Sequence, residues 1–314
     1  MSRNVIVGWA SRGLVLLLSL VNTRLLIDNM GAEGVAAYSI IISLTPWLAL
    51  LNLGLPLTIQ NTISHLRGAN KDYQTVRNQA YGTMFFIGLA ILPLVVVMGW
   101  LSHHFLLAKY PFASLESVVA VFLFIYIAGV CQLLTQVMYA EHETFWPNIY
   151  PVLAPIWTTC ALFCAKYFSF VDFNILILVL ALSNVVAPIH AAKRLQIFKR
   201  LQFNIRIAKQ QIRSSKHQLL FATLSAATLS ADYLVMSRTL AALDIVHYNL
   251  TSRLFMAVLV IHGVLLATNW TPIADMLHSA KKMRLEKNNA TTDARSHDRY
   301  FRGLFYLVRN QPYC

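Results

Sequence analysis

The stretch "FFIGLAILPLVVVMGW" (Phe85–Trp100) decides the fold class. It is continuously apolar, with none of the alternation that marks a barrel strand, and it belongs to a window of about 20 residues. A helix rising 1.5 Å per residue needs about that length to cross roughly 30 Å of hydrocarbon. Working outward, eight such windows are readable, at about 4–27, 35–58, 79–101, 118–140, 148–166, 172–191, 217–239 and 250–271. Composition agrees: 57% of the 314 residues are hydrophobic and 12% are charged, against roughly 25% charged in a soluble domain. The expected class is an all-α, multi-pass integral membrane protein. Arg12 interrupts the first window and no small-residue cleavage site follows it, so that window reads as a retained helix and not as a signal peptide.

Charge orients these helices. With the N-terminus in the cytoplasm, inner connections collect Arg67, Lys71, Arg77, Lys193, Arg194, Lys199, Arg200, Arg206, Lys209, Arg213 and Lys216, whereas outer loops hold Lys109 and Lys166. The positive-inside rule therefore accounts for the net charge of +13, and nucleic acid is not implied as a partner. In "KRLQIFKRLQFNIRIAKQQIRSSKH" (Lys193–His217), Leu195, Phe198, Leu201, Ile205, Ala208 and Ile212 recur at helical steps among basic residues. The periodicity predicts an amphipathic helix on the inner leaflet, attracted to anionic lipid. It divides the chain into a six-helix lobe (1–191), a basic connection (192–216), the first two helices of a second lobe (217–275) and a polar tail (276–314). "MGAEGVAAYSI" (Met30–Ile40) also aligns with "LAALDIVHYNL" (Leu240–Leu250) at an offset of 210 residues. An offset spanning six helices implies parallel repeats about an axis along the membrane normal.

The stretch "TRLLIDNMGAEGVAAYSIIISLTPWLALLNLGLPLTIQNTISHLRGANKD" (Thr23–Asp72) resembles the opening helices of the polysaccharide and O-antigen flippases of the MATE-like MOP superfamily. "ADYLVMSRTLAALDIVHYNLTSRL" (Ala231–Leu254) resembles the start of that family's second half. The resemblance covers roughly residues 1–275. It implies a MATE-like bundle in the bacterial plasma membrane, moving undecaprenyl-pyrophosphate-linked oligosaccharide. Such proteins have about twelve helices, so this chain reads as a six-helix lobe plus an incomplete second lobe, a C-terminally short member or a partial product. A second copy, or the polysaccharide polymerase machinery, is an expected partner on that reading.

A lipid-linked diphosphate needs a polar, cationic path, and arginine presents a fork of donors suited to phosphate. The candidates are Arg12, Arg24, Arg238 and Arg253. Arg24, Arg238 and Arg253 lie near outer helix ends, where snorkelling to the interface explains them equally well. Arg12 and Arg24 are separated by about 18 Å in height and about 120° in azimuth on a straight helix, so they mark two stations and not one clamp. Asp232 shares a stripe with Phe221, Ser225 and Thr228 and is the candidate for coupling to H⁺ or Na⁺, or for a structural ion pair. Gln132, Gln136, Tyr139 and Glu143 form a stripe suited to sugar hydroxyls or to helix–helix hydrogen bonds. His262 and Asn269 share a face on the eighth window, where a packing role is the plainer reading.

No P-loop, H-E-x-x-H, G-x-S-x-G or G-x-G-x-x-G motif occurs, and Cys131, Cys160, Cys164 and Cys314 show no recurrent metal spacing. A transporter that is not an enzyme, with no cofactor and no metal, is expected. The competing readings are an inactive or partial membrane fragment of such a flippase and, further, a multidrug-type antiporter of the same superfamily. The balance of four arginines against one intramembrane aspartate favours an anionic cargo.

Overall fold

The structure, a computed structural model, describes residues 3–168, 172–252 and 255. All regular elements among them are helices: α1 (Arg3–Ser43), α2 (Thr45–Leu50), α3 (Leu55–Gly68), α4 (Gln74–Leu106), α5 (Leu115–Ala140), α6 (Phe145–Tyr167), α7 (Phe173–Leu195), α8 (Ile197–Arg200), α9 (Ile205–Ser214) and α10 (Lys216–Thr239). Residues 242–252 are helical as well.

Five stretches are long and apolar enough to cross a bilayer: Ile6–Leu50, α4, α5, α6 and α7. A sixth results if the two arms of α10, bent by 43°, count as one span. The first two sequence windows are joined without a loop. The stretch "GAEGVAAYS", expected to be a connection, is helical, and only Gly31 breaks the run, at φ 67° and ψ 179°. Those angles are accessible to glycine almost alone. The second window is itself interrupted: Gly54 adopts φ 68° ahead of Pro56, so α2 and α3 are separate segments. Residues 256–271, most of the eighth window, lie outside the described residues, as do Arg253, His262 and Asn269.

Directions along the bundle follow from side-chain pairings. Ser11 donates to the Asn148 carbonyl, Asn22 to that of Pro155 and Asn29 to that of Leu162, so the first arm of α1 runs parallel to α6. At one end of the bundle Asn174 of α7 binds the backbone at Phe112 and Ser114, just before α5. At the other end Ala191 and Leu195 of α7 pack with Leu133 and Val137 of α5, so these two helices are also parallel. Gly99 of α4 touches Val119 and Gly88 touches Val130, which makes α4 antiparallel to α5. This alternation is the one that a chain threading back and forth through a membrane must show. Ser114 and Asp172 cap α5 and α7 by accepting amides of their first turns. Three apolar clusters fill the helix seams, the largest containing Ile40, Leu48, Val121, Phe122 and Tyr126.

The basic connection is not one continuous helix. Gln196 takes a left-handed conformation (φ 51°) that ends α7, and the extended backbone that follows α8 delays the next helix until Asn204 caps α9. The break has a packing cause: the Gln202 amide donates to the Asn78 carbonyl, and the Gln202 backbone passes directly over Gly82 of α4. Leu195 thereby stays in the α7 seam, Ala208 is buried, and Phe198 is 78% exposed.

Candidate functional site

At the end of the bundle where α3 stops and α4 begins, three arginines from three helices hold the α5–α6 turn. Arg67 donates to the Ala140 carbonyl, Arg77 pairs with Glu141, and Arg194 pairs with Glu143. Lys193, Lys199, Arg200 and α9 gather at the same end, while the opposite end carries Asp28 paired with Lys166, together with Lys109. The charge asymmetry of the loops is thus an asymmetry of the folded bundle.

Above the arginine-bound turn lies a cavity of about 770 Å³ walled by α1, α3, α5, α6 and α7. Its polar lining is Arg12, Gln60, Gln132, Thr135, Gln136 and Tyr139, joined by Tyr150, Ser183 and Asn184. Arg12 is half-buried and makes no hydrogen bond or ion pair among the described residues. Among the described residues, no Asp or Glu lines the cavity. Its height is fixed by the next residue: Ser11 is buried against the Asn148 carbonyl, and the Asn148 side chain accepts from the Tyr139 hydroxyl at 3.0 Å. Tyr150 is held by His190 at 2.9 Å. Pro151 and Pro188 lack the amide hydrogen that would reach back four residues, so the Pro147 and Asn184 carbonyls lose their helical donor beside this cavity. A second hollow of about 350 Å³ shares Gln132, Thr135 and Asn184 with the first. Together they present one cation surrounded by amides, hydroxyls and carbonyls. Chemically that surface suits an anion carrying many hydroxyls.

The structure therefore brings Arg12, Gln132 and Gln136 together and leaves Arg24, Arg238 and Asp232 apart. Arg24 is exposed and lines neither hollow, sitting one turn before the Asp28–Lys166 pair. Arg238 is exposed at the opposite end, where its backbone carbonyl accepts from Lys109. Asp232, the candidate for ion coupling, is exposed among the described residues, as is Phe221 three turns away on the same stripe (68%), and its carboxylate accepts from Tyr248 and pairs with no described arginine. Glu143 leaves the α5 stripe to bind Arg194 on the turn. Sequence reading missed Gln60, Tyr150, Ser183 and Asn184; Gln60 and the Ser183–Asn184 pair are polar groups in mid-window, the signal that could have found them.

The fold and the cavity define the class: a MATE-like membrane transporter fold. Two solved structures share it, the MATE multidrug transporter DinF-BH (TM-score 0.61, 14% identity, 90% of this chain and 66% of that one) and the Vibrio cholerae MATE transporter VcmN (TM-score 0.63, 16% identity, 90% and 66%). At the sequence level the chain is similar to two proteins named for O-antigen export. It is 26% identical over 291 residues to a putative O-antigen export protein of Yersinia pseudotuberculosis and 26% identical over 278 residues to a putative O-antigen transporter of Salmonella typhi, covering 89% and 86% of this chain. The chain spans 65% and 64% of the length of those two relatives. No family model matches it.

Proposed function

We propose that this chain serves the translocation of a diphosphate-linked oligosaccharide, carried on a polyprenyl lipid, across the bacterial plasma membrane with its basic end in the cytoplasm. The observation that carries the reading is the uncommitted Arg12 in a cavity whose polar lining, among the described residues, is amides and hydroxyls without a carboxylate. Arg12 engages the diphosphate, while Gln132, Gln136 and Gln60 meet sugar hydroxyls. The relatives' names support an O-antigen unit as cargo, and the positive-inside rule supports the orientation. A cavity for organic cations is favoured by acids, and among the described residues this lining has none, so the multidrug reading is the weaker one. Arg24 and Arg238 act as interfacial anchors, or as contacts where the head group enters or leaves.

Complementation of a strain lacking its own O-antigen flippase tests the proposal. The chain restores surface O-antigen, Arg12→Ala abolishes the restoration, and Arg12→Lys, which keeps charge without the fork, restores it in part. No restoration by the unaltered chain overturns the function. Equal restoration by Arg12→Ala overturns the site alone.

A further inference from the structure

On the far side of α5 from the polar cavity runs a groove of about 620 Å³ between α4, α5, α7 and α8. Its walls are apolar, with Leu89, Ile127 and Ile189 exposed along its length. The left-handed turn at Gln196 brings α8 to one end of it, so that Ile197 and Phe198 line that end together with Lys193. Lys199 and Arg200 follow directly. Six of the cations at this end, those of the α5–α6 turn contacts and those of α7 and α8 beside the groove, divide into two sets. Arg67, Arg77 and Arg194 are committed to acceptors on the α5–α6 turn. The side chains of Lys193, Lys199 and Arg200 make no hydrogen bond or ion pair among the described residues, and "IFKR" carries no acid. Phe203, beyond α8, packs on Phe86 of α4 with ring centroids 4.6 Å apart.

We infer that this groove is a seat for one anionic phospholipid, with an acyl chain between α4 and α7 and the head-group phosphate on Lys193, Lys199 and Arg200. An apolar channel with the uncommitted Lys193 lining one end, and with Lys199 and Arg200 on the helix that borders it, complements a lipid whose charge lies at the end of its chain. The seat does not depend on the transport reading, because it shares no cation with the Arg12 cavity.

The test is native mass spectrometry of the full chain in detergent, titrated with phosphatidylglycerol, with phosphatidylcholine of the same acyl chains, and with undecaprenyl phosphate. One phosphatidylglycerol is retained in preference to phosphatidylcholine. Lys193→Gln lowers that preference about fivefold, the effect of one basic residue at a lipid surface. Ile189→Trp, at an exposed wall position, displaces the lipid while leaving thermal unfolding unchanged. Equal retention of the two phospholipids overturns the proposal, as does undiminished binding by Ile189→Trp. Displacement of phosphatidylglycerol by undecaprenyl phosphate at lower concentration also overturns it, because the groove then belongs to the cargo tail.

Discussion

At Arg12, a single guanidinium faces polar space with its donors unassigned, and the neighbouring Ser11 fixes its position against α6. Losing two charge-assisted hydrogen bonds to a diphosphate costs about 1.5–3 kcal/mol each, so even one bond lost weakens head-group binding at least tenfold. Arg77 and Glu141 show the opposite use of charge. Their side chains are 8% and 18% exposed and satisfy each other, so Glu141→Gln strands a buried guanidinium and lowers stability by about 3 kcal/mol, measured by thermal unfolding in detergent. Gly31 is limited by backbone geometry alone. An added Cβ meets nothing within 4 Å, yet φ 67° with ψ 179° is nearly closed to other residues. Gly31→Ala is therefore expected to cost about 1–3 kcal/mol through strain, readable as a lowered unfolding temperature without loss of any contact.

Among the elements, the connection between α7 and α10 shows what periodicity predicts and what it misses. The apolar spacing of Leu195, Phe198, Leu201, Ile205, Ala208 and Ile212 is helical, but the run is cut into three by a backbone bond from Gln202 to Asn78. No pattern within the run announces a partner 124 residues away. The one trace lies in α4, where Gly82 leaves room for that backbone: a Cβ there comes within 2.0 Å of the Gln202 carbonyl oxygen. Gly82→Ala is expected to destabilise the protein by about 1–3 kcal/mol and to free α8 and α9, seen as faster proteolysis within residues 196–216. The apolar windows themselves were legible because hydrocarbon imposes length and composition on each one separately. Their junctions were not, because a helix can continue through "GAEGVAAYS" when one glycine absorbs the whole change of direction.

For the molecule as a whole, the charge asymmetry was fully readable, since it belongs to loop composition, and so was half of the cavity. Arg12, Gln132 and Gln136 stood out as polar groups in apolar windows, and helical spacing put the two glutamines on one stripe. That Gln60, Ser183 and Asn184 close the same space depends on α3 and α7 packing beside α5, which one helix's spacing cannot supply. Ser39 and Asn249, which the offset of 210 places at equivalent positions, hydrogen-bond each other. Asn249→Leu is expected to loosen residues 242–252 from the first lobe by about 1–2 kcal/mol, detectable by hydrogen exchange in that segment. The central claim is that Arg12 and its cavity hold a diphosphate-linked sugar. The most direct measurement is the affinity of the purified chain for a short-prenyl diphosphate oligosaccharide, compared with Arg12→Ala at several salt concentrations. Arg12→Ala weakens binding about 10- to 100-fold and flattens its dependence on salt; the same affinity and the same salt dependence for both proteins would contradict the account.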